Sequence, residues 1–210
     1  MQNRDHNKML ILASASPRRN DLLKQAGVPF CVVPSEFEEE SVEHGEPFAY
    51  VRHLAEAKAD DVAGNYPDSW VLGADTIVLD GERILGKPAS ANHAREMLRS
   101  LSGKAHRVLT GFAVVKKSEN RILSEVVDTE VRFKPLSEAE IDWYVKTEEP
   151  FGKAGAYAIQ GIGSFLVRGI TGSYTNVVGL PVCEVIETLT GAGVIAFHPE
   201  DKGRYEFRGA

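Results

Sequence analysis

The stretch Met9-Leu10-Ile11-Leu12-Ala13-Ser14-Ala15-Ser16-Pro17-Arg18-Arg19 decides the fold class. Residues 9–13 are a continuous apolar run, the pattern of a strand buried on both faces. Ser16-Pro17 then supplies an N-cap residue type and a proline whose fixed φ suits the first helical position. Leu22, Leu23 and Ala26 recur at helical spacing, and Gly27 ends the pattern. A buried strand feeding directly into a helix predicts an α/β architecture.

The alternation continues outward from this point. Phe30–Val33, bounded by Pro29 and Pro34, is predicted as a second strand, and the acidic stretch Glu36–Glu46 as irregular. Val51, Leu54, Ala55 and Ala59 give Pro47–Gly64 a helical period. Trp70–Leu79 and Arg83–Leu85 flank Asp80-Gly81, a hairpin signal. Ser90 caps a further helix to Leu101, which Gly103 stops. Ala105–Lys116 and Ile122–Phe133 read as a second, longer hairpin. Ser137 with Glu140 three residues on forms a capping box for a helix to Lys146. Phe151–Leu180 is crowded with glycine and aromatic residues, Pro181–Leu189 is a last helix, and Val194–Phe197 a last strand. Residues 1–197 are expected to form a single domain, with a polar, loosely ordered tail at 198–210.

Composition narrows the class of function. The chain has 210 residues, 43% hydrophobic and 26% charged, which suits a globular protein and excludes disorder as the main state. Its net charge of −6 argues against broad binding to nucleic acid or to an anionic membrane. Cys31 and Cys183 stand alone, with no metal-ligand or disulfide spacing. Met1–Lys8 is polar with no apolar core behind it, and no apolar run reaches the length of a membrane span. The expectation is a cytoplasmic protein with no membrane partner.

Several residue groups are candidates for chemistry. Small residues at Ala13–Ser16 let a ligand approach the backbone, a helix N-terminus favours phosphate, and Arg18 and Arg19 add planar forks for phosphate oxygens. Asp75 interrupts an apolar strand, where a carboxylate is costly unless paired or metal-bound. Lys87, held in the turn Gly86-Lys87-Pro88, gains interest from Asp75 nearby in sequence. One of Glu36, Glu38, Glu39 and Glu40 can supply a second oxygen ligand for a hard cation; the others belong to a solvated face. In Glu148–Gly163 the glycines suit tight turns, and Gln160 both donates and accepts, as reading a base edge requires. Gly172–Pro181 is a second polar patch leading into a helix. No phosphate loop, complete GxGxxG, GxSxG or HExxH occurs, and the six histidines show no metal spacing.

Six motifs together resemble the Maf family of nucleoside triphosphate pyrophosphatases: LASASPRR (Leu12–Arg19), LGADTIV (Leu72–Val78), GKP (Gly86–Pro88), LSG (Leu101–Gly103), KAGAYAIQG (Lys153–Gly161) and GSYTNVVGLP (Gly172–Pro181). The resemblance implies a Maf/ITPase-like α/β fold: a mixed, twisted sheet flanked by helices, with two lobes and a deep cleft between them. It implies one catalytic domain over 1–197, a homodimer, and a hydrolase dependent on a divalent cation, Mg²⁺ or Mn²⁺. The reaction would split a nucleoside triphosphate into monophosphate and pyrophosphate. Carried over by motif, Ser14, Ser16, Arg18, Arg19 and Lys58 bind substrate, with Thr76 and Gln160. Asp75, Glu39 and Lys87 are catalytic, and Asp75 and Glu39 hold the metal. Glu39 is selected from its acidic neighbours by spacing alone. Arg19, Thr76 and Gln160 resemble the branch that prefers dTTP and UTP. The competing reading is a nucleotide-binding regulator of cell division or septum formation with little hydrolysis, for which both Asp75 and Glu39 would be unnecessary.

Overall fold

The computed structural model describes residues 9–197 and 203–209; Met1–Lys8, His198–Lys202, Ala210 and the Glu40 side chain lie outside the described residues. The elements run β1 Leu10–Leu12, α1 Pro17–Gln25, β2 Phe30–Val32, α2 Pro47–Asn65, β3 Val71–Asp80, β4 Arg83–Leu85 and α3 Ala91–Leu101. They continue with β5 Ala105–Lys116, β6 Arg121–Phe133, α4 Glu138–Lys146, β7 Val167–Thr171, α5 Tyr174–Val178, α6 Val182–Gly191, β8 Ile195–Phe197 and β9 Tyr205–Phe207. Seven strands share one sheet of order β2-β1-β3-β5-β6-β7, with β4 paired to β3. Its pairings are mixed: β1 is parallel to β2 and β3, while β3–β4 and β6–β7 are antiparallel. The α/β class with a mixed sheet is as expected.

The chain forms two compact units. The first takes residues up to Asp75, Gly111–Val126 and Gly179 onward; the second takes Thr76–Thr110 and Val127–Val178. The chain passes between them within β3, β5 and β6.

In the first unit α2 packs through Ala55, Ala59, Val62 and Ala63 against Ile11, Val71, Ala113 and Val115. Two glycines make that packing close. A methyl group on Gly73 would lie 2.4 Å from the Ala55 carbonyl oxygen and 2.9 Å from the Ala59 methyl. One on Gly111 would lie 2.5 Å from the Val51 carbonyl oxygen. Glycine inside a buried strand marks such a backbone approach. The start of α2 is set by Glu46, whose carboxylate accepts from the Phe48 and Ala49 amides, with Pro47 next.

In the second unit α3 and α4 bury Ala94, Met97, Leu98, Leu101, Ile141, Tyr144 and Val145 against Val78, Leu85, Val108, Val131 and Phe133. Ser90 caps α3, and the Ser137–Glu140 capping box of α4 is present in both directions. His106 Nε2 lies 2.8 Å from Tyr157 Oη, and both rings meet Phe133 edge to face. Burial pushes His106 down to about 4, against the pull of Asp80.

Two expectations need correction, on the tail and the acidic stretch, and the stretch after Phe151, to which the sequence assigns no element, gains one. The crowded stretch after Phe151 contains strand β7, which pairs Val131 with Ile170 and Glu130 with Thr171. Its alternation is blurred because Val167–Thr171 is half-buried at most along its whole length. The tail is not loosely ordered where described: β9 pairs with β8, Tyr205 N donates to Gly27 O, and Gly209 is buried against Trp70. The acidic stretch is not wholly irregular, since Glu39–Ser41 forms a 3₁₀ turn. No helix among the described residues is long and apolar enough to cross a membrane.

Candidate active site

The close approach at Gly73 places the central ion pair. Strand side chains alternate faces, so Gly73 and Asp75 share the face that α2 covers. Helix positions three and four apart share a face, so Lys58 follows Ala55 on the side of α2 turned to that strand. Lys58 Nζ donates to Asp75 Oδ1 at 2.5 Å and to Glu39 Oε1 at 2.7 Å. Lys58 and Asp75 are 8% and 7% exposed, so these charges are matched where water hardly reaches. Glu39 is half-buried on its 3₁₀ turn. Of the acidic neighbours, Glu36 instead donates its amide to Asp61 and is exposed.

The strand-to-helix junction contributes the cationic side. Ser14 Oγ accepts from the Ser16 amide at 3.2 Å and from Arg19 Nη1 at 3.2 Å. Arg19 Nε donates to the Gly179 carbonyl at 2.8 Å. One guanidinium therefore ties the β1–α1 junction to the chain 160 residues further on. Burial pulls the Arg19 pKa down from its ordinary value, Asp75 and Glu39 push it up, and Arg18 pulls it down, so these charges act on one another. Arg18 is likewise lowered by burial. Ser16 stands at the N-cap of α1 with extended backbone, but its side chain makes no capping bond; Ser14 provides the local acceptor. The intrahelical ladder begins with Asn20 N to Ser16 O, so the Arg18 and Arg19 amides precede it at the positive end of the helix dipole. Three cations, Arg18, Arg19 and Lys58, thus accompany two anions, Asp75 and Glu39.

Thr76 does not join this cluster. Consecutive strand residues face opposite ways, and Thr76 Oγ1 instead meets Thr110 Oγ1 at 2.9 Å in the second unit. Thr110 Oγ1 donates to the Asn176 carbonyl, so Thr76 is the donor of the pair. Asn176, wholly buried, donates to Val108 O and Thr129 Oγ1. The GADT, strand β5 and GSYTNVV motifs therefore meet through one hydrogen-bonded chain.

Also in the second unit, Lys87 is exposed in its turn, and the Gly155 amide donates to the Gly86 carbonyl at 3.1 Å. This joins GKP to the KAGAYAIQG segment. Gly155 and Ala156 both have positive φ, 68° and 58°, and a methyl on Gly155 would lie 3.0 Å from Val78. An alanine in the left-handed region is sparsely populated and costs about 1–3 kcal/mol, a feature common at functional segments. Gln160 is half-buried with extended backbone, just before the 3₁₀ turn Gly161–Leu166. Sequence reading missed what holds this segment: Glu149 and Tyr144, whose only sequence signal was the acidic pair ahead of a glycine-rich stretch.

Asp75 and Glu39 offer hard carboxylate oxygens, the donor type Mg²⁺ and Mn²⁺ prefer, and such ions take one or two carboxylates with substrate phosphates completing the shell. The pair fits that requirement. Among the described residues no group of three or more His, Cys, Asp or Glu side chains is placed to hold a metal.

The sequence model of the Maf-like protein family matches residues 9–192. A dTTP/UTP pyrophosphatase from Syntrophus aciditrophicus is 49% identical over 195 residues, covering 93% of this chain and 95% of that protein. A dTTP/UTP pyrophosphatase from Syntrophotalea carbinolica is 49% identical over 94% of this chain and 91% of its own length. One from Halalkalibacterium halodurans is 50% identical over 87% and 95%. Among solved structures, the Staphylococcus aureus Ham1 protein is a distant partial match, with a TM-score of 0.39 and 13% identity over 59% of this chain and 71% of that one.

Proposed function

The chain belongs to the Maf-like protein family, and from that premise we propose that it hydrolyses dTTP and UTP to the monophosphate and pyrophosphate. The observation that carries the reading is the buried Lys58 bridging Asp75 and Glu39, beside Arg18 and Arg19. A triphosphate carries about four negative charges, so a protein of net charge −6 needs its cations gathered locally.

Ser14, Ser16, Arg18 and Arg19, at the N-terminus of α1, bind the phosphates, and Lys87 of the GKP motif is assigned a catalytic role. Lys58 holds Asp75 by Oδ1, which orients the carboxylate. Its other oxygen, Oδ2, aligns the attacking water and takes its proton as the bond to phosphorus forms, while pyrophosphate leaves on the opposite side. Asp75 and Glu39 would hold a divalent cation, Mg²⁺ or Mn²⁺, which when bound supplies neutralisation of phosphate charge. Base choice falls to Arg19, Thr76 and Gln160. The Gln160 amide can donate to a pyrimidine carbonyl and accept from the ring N3–H, whereas a carboxylate only accepts. A homodimer in the cytoplasm completes the proposal.

The test is a panel of nucleoside triphosphates assayed for pyrophosphate, with and without EDTA. The expected result is highest kcat/KM for dTTP and UTP, with activity lost in EDTA. Orthophosphate with a diphosphate product would place the cleavage at the wrong bond.

A further inference from the structure

We propose that Glu149 is a positioning residue for base selection: its carboxylate latches the loop Ala158–Gly163, which presents Gln160. The inference rests on the reading of Gln160 as the base-contacting residue.

Glu149 takes three donors. Tyr144 Oη donates to Oε2 at 2.7 Å, the Gly163 amide donates to Oε2 at 2.7 Å, and the Ile162 amide donates to Oε1 at 3.0 Å. Tyr144 Oη in turn accepts from the Ala158 amide at 3.1 Å. The two ends of the loop are therefore tied to one Tyr144–Glu149 pair, with Gln160 between the tied positions. Tyr144 is wholly buried on α4, so the anchor itself is fixed by the core. Burial and the neighbouring carboxylate raise its phenol, which keeps it a donor.

The loop is shaped to the latch. Gly161 has φ 71°, and a methyl there would lie 2.4 Å from Glu149 Oε1. A methyl on Gly163 would lie 2.4 Å from Tyr144 Oη. Both glycines are thus required by contact with the pair, beyond any need for a turn. On the other side, Glu148 has φ 62° at the end of α4, a place glycine usually takes, and this left-handed residue directs Glu149 back toward Tyr144. The Glu149 amide donates to Thr147 Oγ1, and Lys153 Nζ donates to the Glu149 carbonyl. A carboxylate suits this place because all its partners are donors. An amide would turn an NH₂ toward one of them.

The test compares Glu149→Gln, Tyr144→Phe, Gln160→Ala and Glu149→Gln/Gln160→Ala, measuring kcat and KM separately for dTTP, UTP, dCTP and GTP. Glu149→Gln is expected to lower dTTP/dCTP discrimination by about tenfold or more, through KM for dTTP, with kcat little changed. In the Gln160→Ala background the same change is expected to add nothing further. Tyr144→Phe, which removes the Ala158 contact and one of the three donors to Glu149, is expected to show the same split and carries the test if Glu149→Gln does not fold. A uniform fall in kcat for all four nucleotides overturns the latch, as does full discrimination in Glu149→Gln where Gln160→Ala loses it. Full discrimination in Gln160→Ala overturns the reading of Gln160, and with it the latch.

Discussion

Lys58 Nζ lies 2.5 Å from Asp75 Oδ1 with both residues more than nine-tenths buried, so a helix and a strand are joined by a charge pair that water barely reaches. Buried pairs of this kind are retained at a desolvation cost, and removing one partner strands the other. Asp75 also acts electrostatically on Arg19, so the packing of α2 against β3 fixes a charge felt by the guanidinium in the first turn of α1.

Asp75→Asn keeps the size of the side chain and removes the carboxylate. Turnover of dTTP is expected to fall by about 10²-fold or more, the scale of a lost general base, while circular dichroism remains that of the parent. Turnover within a few-fold of the parent would move the proton-accepting role elsewhere.

Glu39 and Glu36 form a matched comparison. Glu39 meets Lys58, whereas the described contact of Glu36 is a backbone bond to Asp61. Glu39→Gln is expected to lower kcat/KM at limiting Mg²⁺, and Glu36→Gln to leave it within about twofold, as for a surface change. If Glu36→Gln proves the damaging change, the choice among the glutamates is wrong.

His106 gives stability a pH dependence with a definite sign. Its folded pKa is lowered to about 4 from an unfolded value near 6.5. Below pH 6.5 the unfolded chain takes up a proton that the folded chain refuses until about pH 4. Stability from this group is therefore full above pH 6.5 and lost progressively as pH falls to about 4, by about 3 kcal/mol in all. His106→Gln keeps a hydrogen-bonding group toward Tyr157 but cannot titrate. Unfolding midpoints followed from pH 7 to pH 4 should fall more steeply in the parent than in the variant; parallel curves would show that other groups govern the acid limb.

What the sequence revealed followed local rules. The apolar run at Leu10–Leu12 with Ser16-Pro17 behind it announces strand and helix because each signal acts within a few residues. The Ser137–Glu140 box is legible for the same reason. The choice of Glu39 was not legible locally, since its neighbours share its chemistry; what distinguishes it is an ammonium 19 residues away, brought close by α2. Strand β7 was hidden because its residues are only partly buried, so hydrophobic alternation had little cause to appear. The role of Glu149 was hidden because its partners lie up to 14 residues ahead, across a glycine-rich fold-back that no period describes.

The C-terminal hairpin has a practical side. The family match ends at residue 192, yet Arg208 N donates to the Val194 carbonyl and a methyl on Gly209 would lie 2.4 Å from the Trp70 indole. Gly203 meets Gly27 closely, at the foot of the helix that begins with Pro17-Arg18-Arg19. Trimming an expression clone to the homology boundary, or fusing an affinity tag directly after Gly209, therefore intrudes on the wall that covers Trp70 and on the footing of α1. Residues 203–209 are bolted to the residue just past α1, and handling them as an overhang would disturb the far end of the helix whose first turn carries the arginines.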